Sequence, residues 1–347
     1  MNLRNLKFAG SFFPQDPVAL HDLLDSFDTE LSHKNAVTQA PPIAIIAPHA
    51  GYQFSGKLAA AAYASCGPQT PERIVILSPS HRCRFDGIAV AGYQAYDVAG
   101  QVLPLDEDLR RDLVSRGWVQ HHDAAHEDEH GIETQLPFIS RHFKGARVLP
   151  LVIGNTTPQA VAAVIDQIMS QVQENLLFVL SNDLSHFHDH DAAQKLDAQT
   201  AGLIETGQFD GLGPTLACGH LAIAGFLTSA AGQATRVLRL AMSDSFAVTQ
   251  DAKRVVGYGA WAFFPTECEI LSPIHRETLL RVARQGTGMF LNAGRKPHIM
   301  LNSFAAPLQG YMPCFITLTH NDRLRGCSGS LAAHAPLISV AVTNGIK

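Results

Sequence analysis

The chain has 347 residues, of which 46% are hydrophobic and 16% charged, and its formal net charge is −5. That composition belongs to a globular protein with a sizeable core and room for more than one domain, and it excludes a disordered chain. The acidic balance, with no block of Lys/Arg against it, offers nucleic acid no electrostatic footprint.

Six cysteines (Cys66, Cys83, Cys218, Cys268, Cys314, Cys327) are scattered without paired spacing. A disulfide framework is therefore not expected, and a reducing compartment is. The opening MNLRNLKFAGSFFPQDP lacks the apolar core of a signal peptide. The most apolar later stretch, LACGHLAIAGFL (216–227), is too short to span a bilayer and carries His220. No membrane association is expected, and a cytoplasmic location is.

In chain order, an irregular start gives way to apolar residues at helical spacing from Pro17 to Leu31, with Asp16 as N-cap. IAIIAPHAGY (43–52) reads as a buried strand ending at Pro48 and His49. A helix over 55–65 follows, its positive end toward His49. RIVILSPSHR (73–82) repeats the plan and delivers His81; residues 87–98 alternate as a strand does. A helix over 106–116 closes at Gly117, and a histidine-rich loop leads into EHGIETQLPFI (129–139), read as a short helix before Pro137. A strand over 147–154, a helix over 157–172 and a third buried strand at 176–180 follow, the last delivering Asp183 and His186. Helices at 191–206 and 215–231 precede late strands at 236–245 and 255–264. This alternation predicts an α/β fold, a mostly parallel sheet with helices on both faces.

Composition changes near Pro265, which places a domain boundary near 265–270, with a larger unit over 1–265 and a smaller one over 266–347. The second reads as a basic helix (275–291), then a strand, a polar turn at Asn321–Asp322 and a second strand entering Cys327. It makes a small partial α+β unit. Such a unit is marginal for an independent core, so it is expected to expose apolar surface.

Ligands of open α/β sheets bind beyond the carboxyl ends of the strands. His49, His81 and the Asp183/His186 pair all fall there, so they converge on one site as ligands to a metal, as its outer partners or as acid–base groups. Each histidine taken singly is also consistent with an ordinary loop residue, and that reading applies to most of the 17, including His121, His122, His188 and His190. Cys218 heads the 215–231 helix, where a helix N-terminus lowers a thiol's pKa; the alternative is a buried small hydrophobe. His130 and Glu133 fall at i and i+3 on one helix face, as an acid–base pair or a local surface pairing.

Together FAGSFFP, APHAGYQFSG, SPSHR, DEHGIETQLPF, SNDLSHF, the Cys218 stretch and VVGYGA, in order over about residues 8–264, resemble the Memo family. That family is similar in fold to the catalytic subunit of class III extradiol dioxygenases, which are non-haem iron enzymes. The resemblance implies a pocket of His49, His81 and Cys218, with Asp183, His186 and His130 nearby. The ring-opening enzymes hold iron with two histidines and a glutamate. A thiol stands here where that carboxylate is expected, and a soft thiolate favours copper(I), zinc or a sulfur-ligated iron. The tail, with Arg-Gly-Cys-x-Gly at Arg325–Gly329, resembles the opening half of the AMMECR family, which implies a chain cut short. The fused order resembles the bacterial AmmeMemoRadiSam proteins, which implies a radical S-adenosylmethionine enzyme as partner.

The expectation is thus a metal-dependent oxidoreductase with His49, His81 and Cys218 as ligands to iron, copper or zinc. His186, His130 and Asp183 are its catalytic candidates. The alternatives are a non-catalytic metal- or peptide-binding adaptor and, more weakly, a Cys–His nucleophile.

Overall fold

The structure, a computed structural model, describes residues 2–32, 40–68, 70–172, 175–267, 269, 271–321, 323–330 and 335–346. The strands of the nine-stranded main sheet include β1 (Ala44–Ala47), β2 (Arg73–Pro79), β3 (Ile88–Val90), β4 (Arg147–Ile153), β5 (Leu176–Ser181), β6 (Thr235–Asp244) and β7 (Val255–Pro265), and the short strands Gln120–His121 and His186–His188 pair with β3 and β7. Their spatial order is β7–β1–β5–β2–β4–β3, with β6 outside β7. The pairs β1–β5, β5–β2 and β2–β4 are parallel, whereas β7 runs antiparallel to β1 and β6, and β3 to β4. The fold is thus mixed α/β, with a parallel centre and antiparallel flanks.

The four central strands are apolar without interruption because both of their faces are covered. Ile45, Ala47, Ile74, Ile76, Leu177 and Val179 enter one core cluster. Their neighbours Ala44, Ile46, Val75, Leu77, Phe178 and Leu180 enter the other, as the two-residue strand period requires. Helices α1 (Pro17–Ser32) and α2 (Tyr52–Ala64) cover the first face through Leu20, Leu24, Phe27, Ala59 and Tyr63. Helices α3 (Pro158–Gln171), α4 (His190–Glu205) and α5 (His220–Thr228) cover the second through Val161, Ile165, Ile204 and Phe226. The contact of α3 with α5 depends on Gly225, where a Cβ would lie 2.4 Å from Val161 Cγ1.

Three sequence expectations are corrected. Residues 87–98 are two strands, not one: β3 belongs to the main sheet, and Ala95–Val98 joins Leu3–Asn5 and Gln101–Pro104 in a separate one. Between them the chain turns at residues 91–94, where the Tyr93 hydroxyl bonds that of Tyr96 at 2.8 Å. The 129–139 helix is two short helices, His130–Glu133 and Leu136–His142, with Pro137 in the first turn of the second, where a missing N–H costs nothing. The 215–231 helix begins only at His220, leaving Cys218 in the preceding turn.

Beyond Pro265 come α6 (Pro273–Ala293), a hairpin of β8 (Cys314–His320) and β9 (Arg323–Ser330), and α7 (Leu337–Gly345). Cys268, Asp322 of the expected turn and Lys347 lie outside the described residues. Val282, Leu308, Leu337, Ile338 and Val342 form a small core of their own. Leu280, Leu291, Phe315 and Leu324 remain exposed. The segment touches the first unit at β6: the Tyr311 N–H donates to the Arg239 carbonyl at 3.1 Å, and the Arg239 guanidinium lies 4.8 Å from the Tyr311 ring centroid. Because its core is separate, deletion of residues 266–347 is expected to shift the melting temperature of the remainder by at most about 4 °C. Calorimetry of the shortened chain checks this, and a larger fall would make the tail integral to the fold. Among the described residues, no helix is long and apolar enough to cross a membrane.

Candidate metal centre

Because β1, β2 and β5 are parallel and in register, with Ala47 opposite Ser181, their carboxyl ends deliver His49, His81 and Asp183 to one end of the sheet. The short helix at His130–Glu133 crosses above them. Among the described residues, the donor atoms of His49, His81 and His130 all lie within 4.8 Å of one another. The ring centroids are 4.9 Å apart for His49–His81, 5.2 Å for His49–His130 and 4.4 Å for His81–His130. Glycine is required at 131, since a Cβ there would lie 2.4 Å from Ser78 Oγ and 3.2 Å from His49 Nδ1.

Hydrogen bonding decides which nitrogens are bare. The Ser181 hydroxyl donates its single proton to the Gly131 carbonyl at 2.5 Å, so it can only accept from His49 Nδ1, 2.9 Å away. His49 therefore carries its proton on Nδ1, which leaves Nε2 unprotonated with the Cys218 sulfur 3.3 Å away. Glu129, ionised and buried, accepts from the His81 N–H, from His81 Nδ1 and from the Gly131 N–H, each at 2.8 Å. That leaves His81 Nε2 bare as well. Partners of this kind set tautomer and ring orientation in metal sites. Gln135 extends the support: it donates to Ser181 Oγ and the Pro48 carbonyl, both at 3.1 Å, and accepts from Tyr63.

Burial holds His49 and His130 neutral. The pKa of His49 is pushed well below its ordinary value by desolvation and then by the charges of His81 and His130. The His130 pKa falls to about 4 for the same leading reason. Neutral imidazole is the form that ligates metal. The donor set therefore suits a metal ion, and these three residues could hold one.

Cys218 stands beside this triad rather than within it. Its sulfur is 3.3 Å from His49 Nε2 and accepts the Asp183 N–H at 3.2 Å. The sequence expectation of a lowered thiol pKa is corrected: burial first, and then the Asp183 charge, push it well above its ordinary value. The cause is the late start of α5, which leaves the sulfur in a desolvated turn beside a carboxylate.

Asp183 is buried, accepts the His49 N–H at 2.8 Å and also that of Ala50, and has its pKa raised to about 7 by desolvation. Its second oxygen is 3.9 Å from His49 Nε2. His186 donates from Nδ1 to the Leu184 carbonyl at 2.8 Å, and desolvation lowers its pKa. It is electrostatically coupled to His49 and feels the charge of His81, which puts it at the edge of the same site.

His130 and Glu133 do not form a pair. Glu133 turns the other way and binds the Arg4 guanidinium at 2.9 Å and the backbone N–H groups of Lys7 and Phe8. This anchors the FAGSFF segment, whose Phe8 and Phe12 rings pack on His130 with centroids 5.8 and 4.8 Å away. The Phe12 carbonyl accepts the Tyr52 N–H at the start of α2, so that helix end is partly spent on the N-terminal segment. Sequence reasoning missed Glu129, Ser181 and Gln135. Glu129 directly precedes His130 within the stretch that drew attention, and a carboxylate beside a candidate ligand was the available signal. Of the remaining histidines, His190 sits 3.3 Å from Asp244, His122 packs on Phe85, and His126 is buried against the Ala89 carbonyl.

The Asp183–His186 turn is held from below by Asp197 of α4, which accepts the Ser185 N–H at 2.9 Å. Burial raises the Asp197 pKa from 3.8 to about 6, and the charge of Asp244 adds to this. A carboxyl raised in the folded state contributes its full stability below its unfolded value and loses it as pH rises through the folded one. Asp197→Asn keeps the acceptor and removes the charge. It is expected to gain on wild type by about 2 kcal/mol between pH 4 and pH 8, measured by urea unfolding at both. An unchanged gap would show that the carboxyl titrates normally.

Comparison with known proteins follows the same outline. Residues 4–262 match the family described as Memo-like protein, and residues 280–347 match AMMECR1. A MEMO1 family protein of Methanopyrus kandleri is 31% identical over 285 residues, covering 75% of this chain and 98% of that relative. One from Aquifex aeolicus is 32% identical over 200 residues, 57% of this chain and 72% of the relative. One from Thermoplasma acidophilum is 27% identical over 266 residues, 73% and 95%. The likeness thus spans the strands and loops that build the histidine cluster, and the chain belongs to the Memo family, with an AMMECR1 domain after it.

Proposed function

We propose that the protein is a metal-dependent oxidoreductase of the cytoplasm whose ion is iron or copper. The observation that carries this reading is the convergence of three imidazoles, two of them with Nε2 left unprotonated by partners on Nδ1. His49 and His81 are ligands in every version of the site. His130 is placed to be the third, and Cys218 to join or replace it after a small side-chain rotation. A bound redox metal would supply one-electron chemistry. Around it, Asp183, raised to about 7, is a proton carrier at neutral pH, and His186 presents a bare Nε2 at the rim. The Phe8 and Phe12 rings cover His130 and exclude water from that side. By its fused order the protein would act with a radical S-adenosylmethionine enzyme.

The elevated thiol pKa weighs against Cys218 as a nucleophile, which would need a stabilised thiolate. An adaptor that only holds the ion is the competing outcome. The test is anaerobic titration with iron(II), copper(I) and zinc, then oxygen uptake by the loaded protein. Alkylation of Cys218 is compared with and without metal. Tight binding of iron or copper with oxygen uptake is the expected result. Tight binding without uptake supports the adaptor. No binding ends the reading. Protection of Cys218 by metal would make the sulfur a ligand, and unchanged alkylation would leave three histidines.

A further inference from the structure

Beside Cys218 lies a second feature that the metal reading does not use. A pocket of about 590 Å³ opens between the ends of β2 and β4 and the start of α5, and Cys218 forms part of its wall. Phe85, Ile153, Leu221 and Ala222 give it apolar sides. Two of its glycines have no room for a side chain: a Cβ on Gly154 would lie 2.3 Å from the Phe85 carbonyl oxygen, and one on Gly219 would lie 2.7 Å from that of Ser181.

The charge of the pocket is uneven. Asp86 is engaged, since Asn155 Nδ2 donates to its Oδ1 at 2.8 Å. Arg84, which also lines the pocket, has no acidic partner among the described residues. An exposed guanidinium without an acidic partner, at the margin of a pocket with apolar walls, is suited to a planar anion, because its fixed fork of donors matches a carboxylate. Burial of the rest of the molecule against Phe85 and Leu221 supplies the remaining affinity. The start of α5 adds a favourable dipole at the same wall, as a secondary contribution.

We propose that this pocket binds a small organic carboxylate, with its anionic head on Arg84 and its other end against the Cys218 sulfur. This rests on the metal reading only in making the ligand a substrate: the sulfur is 3.3 Å from His49 Nε2, so the inner end of the ligand abuts the centre. Carboxylate recognition itself requires no metal.

The experiment therefore uses metal-free protein and a matched pair of probes, benzoate and benzamide, followed through the backbone amide resonances of Leu221 and Ala222. Benzoate is expected to shift them saturably and to bind at least about 10-fold tighter than benzamide, the scale of one charge-assisted contact. Arg84→Gln, an exposed change that leaves the core alone, should remove that preference and leave metal affinity unchanged. Equal binding of the two probes, absence of shifts, or wild-type benzoate affinity in Arg84→Gln would overturn the proposal.

A second arm tests contact with the sulfur. Iodoacetate and iodoacetamide share a leaving group and differ in charge, so their rate ratio cancels the thiolate fraction. At Cys218 that ratio should exceed the ratio at the exposed Cys327 by about 10-fold, and Arg84→Gln should abolish the excess. Equal ratios at the two cysteines would overturn the placement. If carboxylates bind as described but no metal does, the metal reading fails alone.

Discussion

His49→Ala is expected to weaken iron or copper binding by more than the roughly 100-fold that loss of an outer partner costs a metal site. Its ring is almost fully buried and is in ring contact with both other members of the triad, 4.9 Å from His81 and 5.2 Å from His130. Its Nε2 also lies 3.3 Å from the Cys218 sulfur. Truncation also empties a buried site and removes one hydrogen-bond partner each from Ser181 and the Cys218 sulfur, so some loss of stability accompanies it. His81→Ala separates the two effects, because His81 is the most exposed of the three rings and its removal opens no cavity in the core. Anaerobic calorimetric titration of both variants, with thermal melts alongside, provides the measurement. Near-wild-type affinity in His81→Ala would sink the three-histidine centre, whatever happens to His49→Ala.

Glu129→Gln should have the second largest effect, although Glu129 touches no ion. Its two oxygens receive three hydrogen bonds, from the His81 N–H, from His81 Nδ1 and from the Gly131 N–H, each at 2.8 Å. Glutamine offers one acceptor oxygen, and its amide group turns N–H toward N–H on the other side. A buried donor left unpaired costs about 1–3 kcal/mol. His81 loses the bond that fixes its tautomer, so metal affinity should fall about 10–100-fold.

The pH dependence gives an independent check. The Glu129 pKa lies below its ordinary value: burial opposes ionisation, and the hydrogen bonds and charge of His81 outweigh it. A carboxylate lowered in this way contributes stability above its unfolded pKa and loses it as pH falls through the folded one. The gap between wild type and Glu129→Gln should therefore be widest near neutrality and narrow in acid. A gap that stays constant down to pH 3, or wild-type metal affinity in the variant, would remove Glu129 from the site.

Much of the sheet was legible because a strand buried on both faces must be apolar without interruption. AIIA, RIVILSP, RVLPLVI and LLFVLS announce themselves in that way, and their polar exits place His49, His81, Asp183 and His186 at strand ends. Parallel pairing of strands joined by helices then forces those exits to one edge, so their convergence followed from chain order alone. The direction of the last strands did not. β6 and β7 satisfy the same apolar pattern whether they run with β1 or against it, and only the packed sheet selects the antiparallel arrangement.

The tertiary structure alone decided how the chemistry is distributed. Helical spacing set His130 and Glu133 on one face, but a helix of four residues has too few turns for that rule to govern its contacts. Arg4, from the far end of the chain, draws Glu133 one way, and Phe8 and Phe12 press His130 into the triad. The Cys218 pKa also turned on an offset of two residues, between the head of a helix and a desolvated turn beside Asp183. The identity of the groups that orient His49 and His81 was likewise out of reach of the sequence. Ser181 and Glu129 act across 132 and 48 residues of chain. Sequence determines which side chains are available for a site, and local spacing places those that a strand end delivers. Partners brought in from distant segments, and the water their packing excludes, set tautomers and proton affinities, because those depend on the surroundings and not on the order of the chain.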